Sequence, residues 1–128
     1  EKFAMTIFRK NQLRKQKELV KDENTGKNVI KDGLQDILRE IQIMKMLDHP
    51  NTIRLHEVID DEKGEKLYMV MDFAHYGEIM NWNYNTLRFS PCIEGKDHFT
   101  ERELQKIMRD CIRGLAYMHS QNIVHRDI

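Results

Sequence analysis

Asn122-Ile-Val-His125-Arg126-Asp127-Ile128 is the stretch on which the reading of this chain turns. Alone it says little, since an aspartate after an arginine is ordinarily half of a surface ion pair. Its weight comes from what precedes it. Thr100-Glu-Arg-Glu103 has the spacing of a capping box, a hydroxyl at the N-cap and a carboxylate three residues on. Behind it Leu104, Ile107, Met108, Cys111, Ile112, Leu115 and Met118 recur at helical intervals, so a helix is expected to run to about Ser120. Asn122-Ile-Val124 then reads as a short extended piece entering the His125-Arg126-Asp127 turn.

Working back from there, Glu78 to Phe99 is mixed in character, with a short helix expected at 78–82 and an irregular insert after it. Lys66 to Phe73 and Thr52 to Ile59 read as two strands. Asp60-Asp-Glu-Lys-Gly-Glu65 is a turn between them, so the pair forms an antiparallel hairpin. Leu34, Ile37, Leu38, Ile41, Met44 and Leu47 define an amphipathic helix over Asp32 to Leu47. It ends at Asp48-His-Pro-Asn51, because Pro50 cannot continue it. Lys2-Phe-Ala-Met-Thr-Ile-Phe8 is β-branched and aromatic and reads as a strand. Lys10 to Val20 reads as a short surface helix, and Asp22 to Lys27 as a loop.

Composition narrows the class. The chain has 128 residues, with 21 basic and 21 acidic side chains and no net charge, so no nucleic-acid footprint follows. No apolar run approaches the length that spans a membrane, and Phe3 to Phe8 is too short for a secretory signal. Cys92 and Cys111 make no disulfide framework, which points to the cytoplasm, or the nucleus. The six histidines and two cysteines show no zinc spacing, so no metal site is expected from them.

The order strand, helix, His-Pro-Asn turn, two strands, linker, long helix and His-Arg-Asp resembles the middle of a protein kinase domain. Three signatures carry the resemblance, in order and at matching spacing: Asp48-His-Pro-Asn51, Leu67-Tyr-Met-Val-Met-Asp72, and Leu115-Ala-Tyr-Met-His119 ahead of His125-Arg126-Asp127. Within kinases, the Lys-Gln-Lys stretch, Leu34-Gln-Asp-Ile-Leu-Arg-Glu-Ile41 and His56-Glu-Val-Ile-Asp60 look most like the calcium/calmodulin-dependent protein kinase kinases and related upstream kinases of energy-sensing pathways. The implied fold class is α+β and partial. It comprises an incomplete antiparallel small-lobe sheet with its regulatory helix, from the third strand to the hinge (1–73), then the start of the helical lobe with its first long helix, up to the catalytic loop (74–128).

The resemblance implies roles residue by residue. Asp127 is the base that accepts the substrate hydroxyl proton, with His125 and Arg126 forming its loop. Ala4 matches the alanine of V-A-I-K that roofs adenine. Met71 stands at the gatekeeper position, Asp72 and Ala74 at the hinge positions whose main chain bonds adenine, and Glu78 at the acidic position that reaches the ribose. Glu40 matches the helix glutamate that pairs with the V-A-I-K lysine. Met44, Leu55 and His125 match members of the hydrophobic spine, and Ala4 and Ile79 flank adenine.

The largest departure is Thr6, which stands where that lysine is expected. Lys2 and Lys10 are each four residues away, roughly 13 Å along a strand, so neither simply substitutes. The expected cofactors are ATP and Mg²⁺, the ion's ligands lying in motifs outside these residues, as do the glycine-rich loop and the Asp-Phe-Gly site. The isolated 128-residue chain is accordingly expected to be inactive and marginally stable. A protein substrate is the expected partner, with calmodulin a further one through other regions, and neither nucleic acid nor membrane. The alternative reading is a pseudokinase, a binding module without phosphotransfer.

Overall fold

Alternation dictates the first strand: Phe3, Met5 and Ile7 point to one side and Ala4, Thr6 and Phe8 to the other, half-buried one. In the computed structural model, which describes residues 2–22, 26–61 and 63–128, the chain divides into two units, Glu1–Asp72 and Phe73–Ile128. The first unit runs β1 (Phe3–Arg9), α1 (Lys10–Lys15), β2 (Lys17–Lys21), β3 (Asn28–Asp32), α2 (Gly33–Met46), β4 (Leu55–Asp60) and β5 (Lys66–Asp72). The second runs β6 (Met80–Asn83), β7 (Arg88–Pro91) and α3 (Glu101–Ser120).

In the first unit β5 is the central strand, paired antiparallel with β1 on one side and β4 on the other. The register sets Ala4 opposite Met71, Thr6 opposite Met69 and Phe8 opposite Leu67. Directly opposed residues share a face, so these six line one side of the sheet. Helix α2 lays Leu34, Ile37, Ile41 and Met44 against the apolar residues of that side. Ile41, Leu67 and Met69 are buried at the centre, with Phe8, Leu55, Val58 and Met71 packed around them. The Asp32 carboxylate caps α2 by accepting from the Gln35 N–H at 2.9 Å. Strand β4 starts at Leu55 rather than Thr52 for a local reason. The Thr52 hydroxyl and N–H both donate to the His49 carbonyl, at 2.9 and 3.1 Å, which ties Thr52 into the turn around Pro50.

Two expectations change. Between Lys10 and Val20 the helix stops at Lys15, and β2 pairs with β3, Leu19 facing Ile30 and Val20 facing Val29. The apolar pair on each strand finds its partner only across the hairpin, a pairing that local periodicity does not reveal. The loop read between Asp22 and Lys27 lies outside the described residues at 23–25, as does position 62 of the 60–65 turn. In the second unit the short helix at 78–82 and the irregular insert are replaced by the antiparallel hairpin β6–β7. Trp82 meets Phe89 edge-on with ring centroids 4.9 Å apart, an interaction that a one-turn helix, too short to nucleate, does not offset. The Asn83 side chain accepts from the Asn85 and Thr86 N–H groups, at 2.9 and 3.1 Å, and turns the hairpin.

Helix α3 has the expected capping box: the Thr100 hydroxyl accepts from the Glu103 N–H, and Glu103 accepts from the Thr100 N–H at 2.9 Å. At its other end the Ile123 N–H donates to the Met118 carbonyl and the Asn122 N–H to the His119 carbonyl, with Asn122 at φ 58. That is a Schellman ending with asparagine in the left-handed position. Asn122 therefore closes the helix and is not part of an extended piece. Leu104, Met108 and Ile112 on α3 are exposed.

One cation is placed unlike the rest. The Lys10 ammonium is buried, paired with the Asp60 carboxylate and donating to the Asp61 carbonyl at 2.6 Å. Its side chain is 5% exposed and that of Asp60 39%, so the pair is asymmetric. Removing Asp60 leaves a buried charge without its counter-ion, whereas removing Lys10 leaves a carboxylate that water reaches. Asp60→Ala in the full-length protein is expected to cost about 3–5 kcal/mol, as for a broken buried pair. Lys10→Met is expected to cost within about 1 kcal/mol, as for an exposed one. Urea unfolding of the two variants measures this, and equal losses contradict it.

Lys96 donates to Glu103 at 2.6 Å. That bond, with those from the Thr100 N–H and hydroxyl, holds the Glu103 carboxyl down at about 2. Because the folded value is depressed, the clamp is fully present above the ordinary carboxylate range and is lost as pH falls through about 2. Carboxyl titration by NMR is expected to show this midpoint in the native protein and a higher one in Lys96→Ala.

Candidate functional site

The register of β1 on β5 brings together residues that the sequence separates widely. Ala4 lies directly across from Met71, and Thr6 across from Met69, both on the face that α2 covers. Both β1 residues are half-buried. Thr6 offers a hydroxyl and no charge. Lys10 cannot supply one there, because its ammonium is committed to Asp60 and Asp61 beyond the far end of β1. Glu40 sits on α2 one residue before the buried Ile41, is itself exposed, and has no ion-pair partner among the described residues. Thr6 thus lies on the face of the sheet that α2 covers and Glu40 on an exposed part of α2, with no cation at the first and no ion-pair partner at the second among the described residues.

Asp72 ends β5 and is held by both its backbone and its side chain. Its N–H donates to the Arg54 carbonyl at 3.0 Å. Its carboxylate accepts from the Arg54 N–H at 2.9 Å and lies 2.6 Å from His56 Nε2. The Arg54 N–H first, then the His56 bond, lower the Asp72 carboxyl below its ordinary value. His56 owes its position to an irregularity: Leu55 pairs with Met71 and Glu57 with Val70, so His56 is the extra residue of a bulge. The sequence offered no sign of this contact, since a bulge is invisible until the two strands are in register.

In the second unit Ala74 opens a tight turn, its carbonyl accepting from the Gly77 N–H at 3.1 Å, with Gly77 left-handed at φ 61. Ala74 and Glu78 are exposed, and the Phe73 and His75 rings meet edge-on at 5.2 Å. At the chain's other end His125, Arg126 and Asp127 form an exposed turn. The Asp127 N–H donates to His125 Nδ1 at 3.2 Å across Arg126, which is left-handed at φ 69. A non-glycine residue held in that region costs about 1–3 kcal/mol and is characteristic of functional turns.

Among the described residues no three His, Cys, Asp or Glu side chains gather as a metal site, and no helix is long and apolar enough to cross a membrane.

Comparison with known proteins identifies the family. Residues 3–128 match the family described as the protein kinase domain. The chain is 40% identical over 97 residues to calcium-dependent protein kinase 5 of Plasmodium berghei, covering 76% of this chain and 15% of that protein. It is 32% identical over 126 residues to a probable serine/threonine-protein kinase of Dictyostelium discoideum, covering 98% of this chain and 15% of that protein. It is 38% identical over 106 residues to a calcium/calmodulin-dependent protein kinase kinase of Caenorhabditis elegans, covering 83% of this chain and 18% of that protein. The chain belongs to the protein kinase domain family. It spans less than a fifth of the length of these three relatives. The expected fold class and the expected kinship with serine/threonine kinases both hold.

Proposed function

We propose that this chain is part of the catalytic domain of an ATP-dependent protein serine/threonine kinase, contributing the adenine-binding strand ends and the catalytic aspartate. The observation that supports this best is the register that sets Ala4 opposite Met71 and ends β5 at Asp72. A small methyl beside a half-buried methionine leaves a flat apolar surface suited to a purine. By the family resemblance, the Asp72 carbonyl and the Ala74 N–H are assigned to the adenine edge and Glu78 to the ribose hydroxyls.

Asp127 accepts the proton of the substrate serine or threonine hydroxyl. His125 holds its backbone, and the left-handed Arg126 turns the chain so that the aspartate follows. Catalysis of this kind is chiefly positioning and charge stabilisation. ATP with Mg²⁺ supplies the phosphoryl group and most of the neutralising charge when bound. The donor set on this chain fits the nucleoside end. At the phosphate end Thr6 gives a hydrogen bond without a charge, and the residues that would hold the ion belong to other motifs. Partners of the whole protein are ATP and a protein substrate, with calmodulin acting through segments outside this chain. The two free cysteines fit a reducing compartment, the cytoplasm or the nucleus.

Two substitutions in the full-length protein test the reading. Asp127→Asn is expected to abolish transfer from labelled ATP to a peptide without lowering ATP affinity. Thr6→Lys restores a charge-assisted bond to the phosphates, worth roughly 1.5–3 kcal/mol or about 10- to 100-fold in rate. Phosphotransfer that survives Asp127→Asn removes the assigned base. A Thr6→Lys protein no faster than the native one removes the assigned phosphate position.

A further inference from the structure

We propose that His56 is a positioning residue for adenine binding: from the β4 bulge its Nε2 clasps the Asp72 carboxylate and fixes the end of β5 that reads the base. The inference rests on the nucleotide-site reading above. Three strands meet around this clasp, on the face of the sheet turned away from α2. Asp72 is central, Phe3 is its register partner on β1, and His56 comes from β4. The Phe3 and His56 rings meet edge-on at 4.8 Å, which adds a second contact to the His56 ring.

An ionised carboxylate only accepts hydrogen bonds, so at 2.6 Å the His56 Nε2 must carry a hydrogen. The neutral Nε2–H tautomer and the imidazolium both meet that need. Arg54 supplies the second bond to the carboxylate and takes the Asp72 N–H. The side chain and the amide of Asp72 are therefore both pinned to the lead of β4. The torsions that remain aim its carbonyl, the atom assigned to the adenine edge. Without the clasp that carbonyl samples more directions, and binding must first select the competent one.

The bonding requirement is a donor, not a charge, so a definite substitution replaces His56. Glutamine places its amide nitrogen the same number of bonds from Cβ as His56 Nε2, and it donates. Full-length native protein, His56→Ala and His56→Gln are titrated with ATP and with adenosine by calorimetry, and their thermal midpoints are recorded. His56→Ala is expected to weaken ATP and adenosine by the same factor, about 3- to 30-fold, the span ordinary for coupling through a residue outside the ligand contact. His56→Gln is expected to bind both as the native protein does.

Native affinity in His56→Ala overturns the proposal. So does a loss confined to ATP, which places the effect at the phosphates, or a loss that His56→Gln shares in step with a lowered midpoint, which makes it a matter of stability. A native protein that binds neither ligand fails at the nucleotide-site reading itself, and the clasp falls with it.

Discussion

The pairing of β1 with β5 is the constraint from which the first unit follows. β5 is covered on both edges, so Leu67, Met69 and Met71 project to one face with no freedom of register. A slip of one residue turns Tyr68 and Val70 toward α2 and the methionines to solvent. The burial of Ile41 against Leu67 and Met69 opposes that slip, and hydrophobic burial is the main term available to a unit this small. The same register decides that Ala4, rather than Phe3 or Met5, stands across from Met71. A packing preference thus fixes the pairing of Ala4 with Met71, and the positions assigned to adenine in the proposal inherit the precision of the core.

Charge is allocated along β1 in a way that composition does not hint at. The lysine-rich segment after Phe8 reads as a solvated face, and most of it is exposed. Lys10 is the exception, drawn inward where its ammonium satisfies the Asp60 carboxylate and the Asp61 carbonyl of the β4–β5 turn. Its N–H donates to the Glu65 carbonyl at 2.8 Å, so both ends of that turn are held from one residue. A buried ammonium is tolerated only with such partners, which is why it is unavailable four residues back at Thr6. The absence of a cation at Thr6 is therefore not made good from within the described part of β1.

What the sequence disclosed follows the range of the forces involved. Helices α2 and α3 were legible because periodicity and capping are local: Asp32 with Gln35 and Thr100 with Glu103 lie three residues apart. The β4–β5 hairpin was legible because its turn is short and rich in breakers. Hairpin β2–β3 and hairpin β6–β7 were not, since each depends on pairs such as Leu19 with Ile30 or Trp82 with Phe89 that come from opposite arms. The expected helix at 78–82 and the single helix over Lys10–Val20 gave way to those pairs. Of the candidate site, Ala4, Thr6, Met71 and Asp72 were singled out through motif order. His56 was not, because its contact with Asp72 requires knowing that β4 bulges between Leu55 and Glu57.

The His125-Arg126-Asp127 turn shows how helix α3 sets the course of the backbone that follows it. The helix does not fray into a strand. Asn122 closes it in the left-handed region, and Ile123 donates back to Met118, so the chain leaves the last turn in a set direction. Four residues after Asn122, Arg126 is left-handed again, held by the bond from the Asp127 N–H to His125 Nδ1. Two reversals so close together shorten the path from a rigid helix to Asp127. Asparagine enters the left-handed region at little cost, but arginine does not. The second reversal therefore leans on the His125 ring as acceptor, which ties the geometry of the aspartate to the identity of the residue two positions before it.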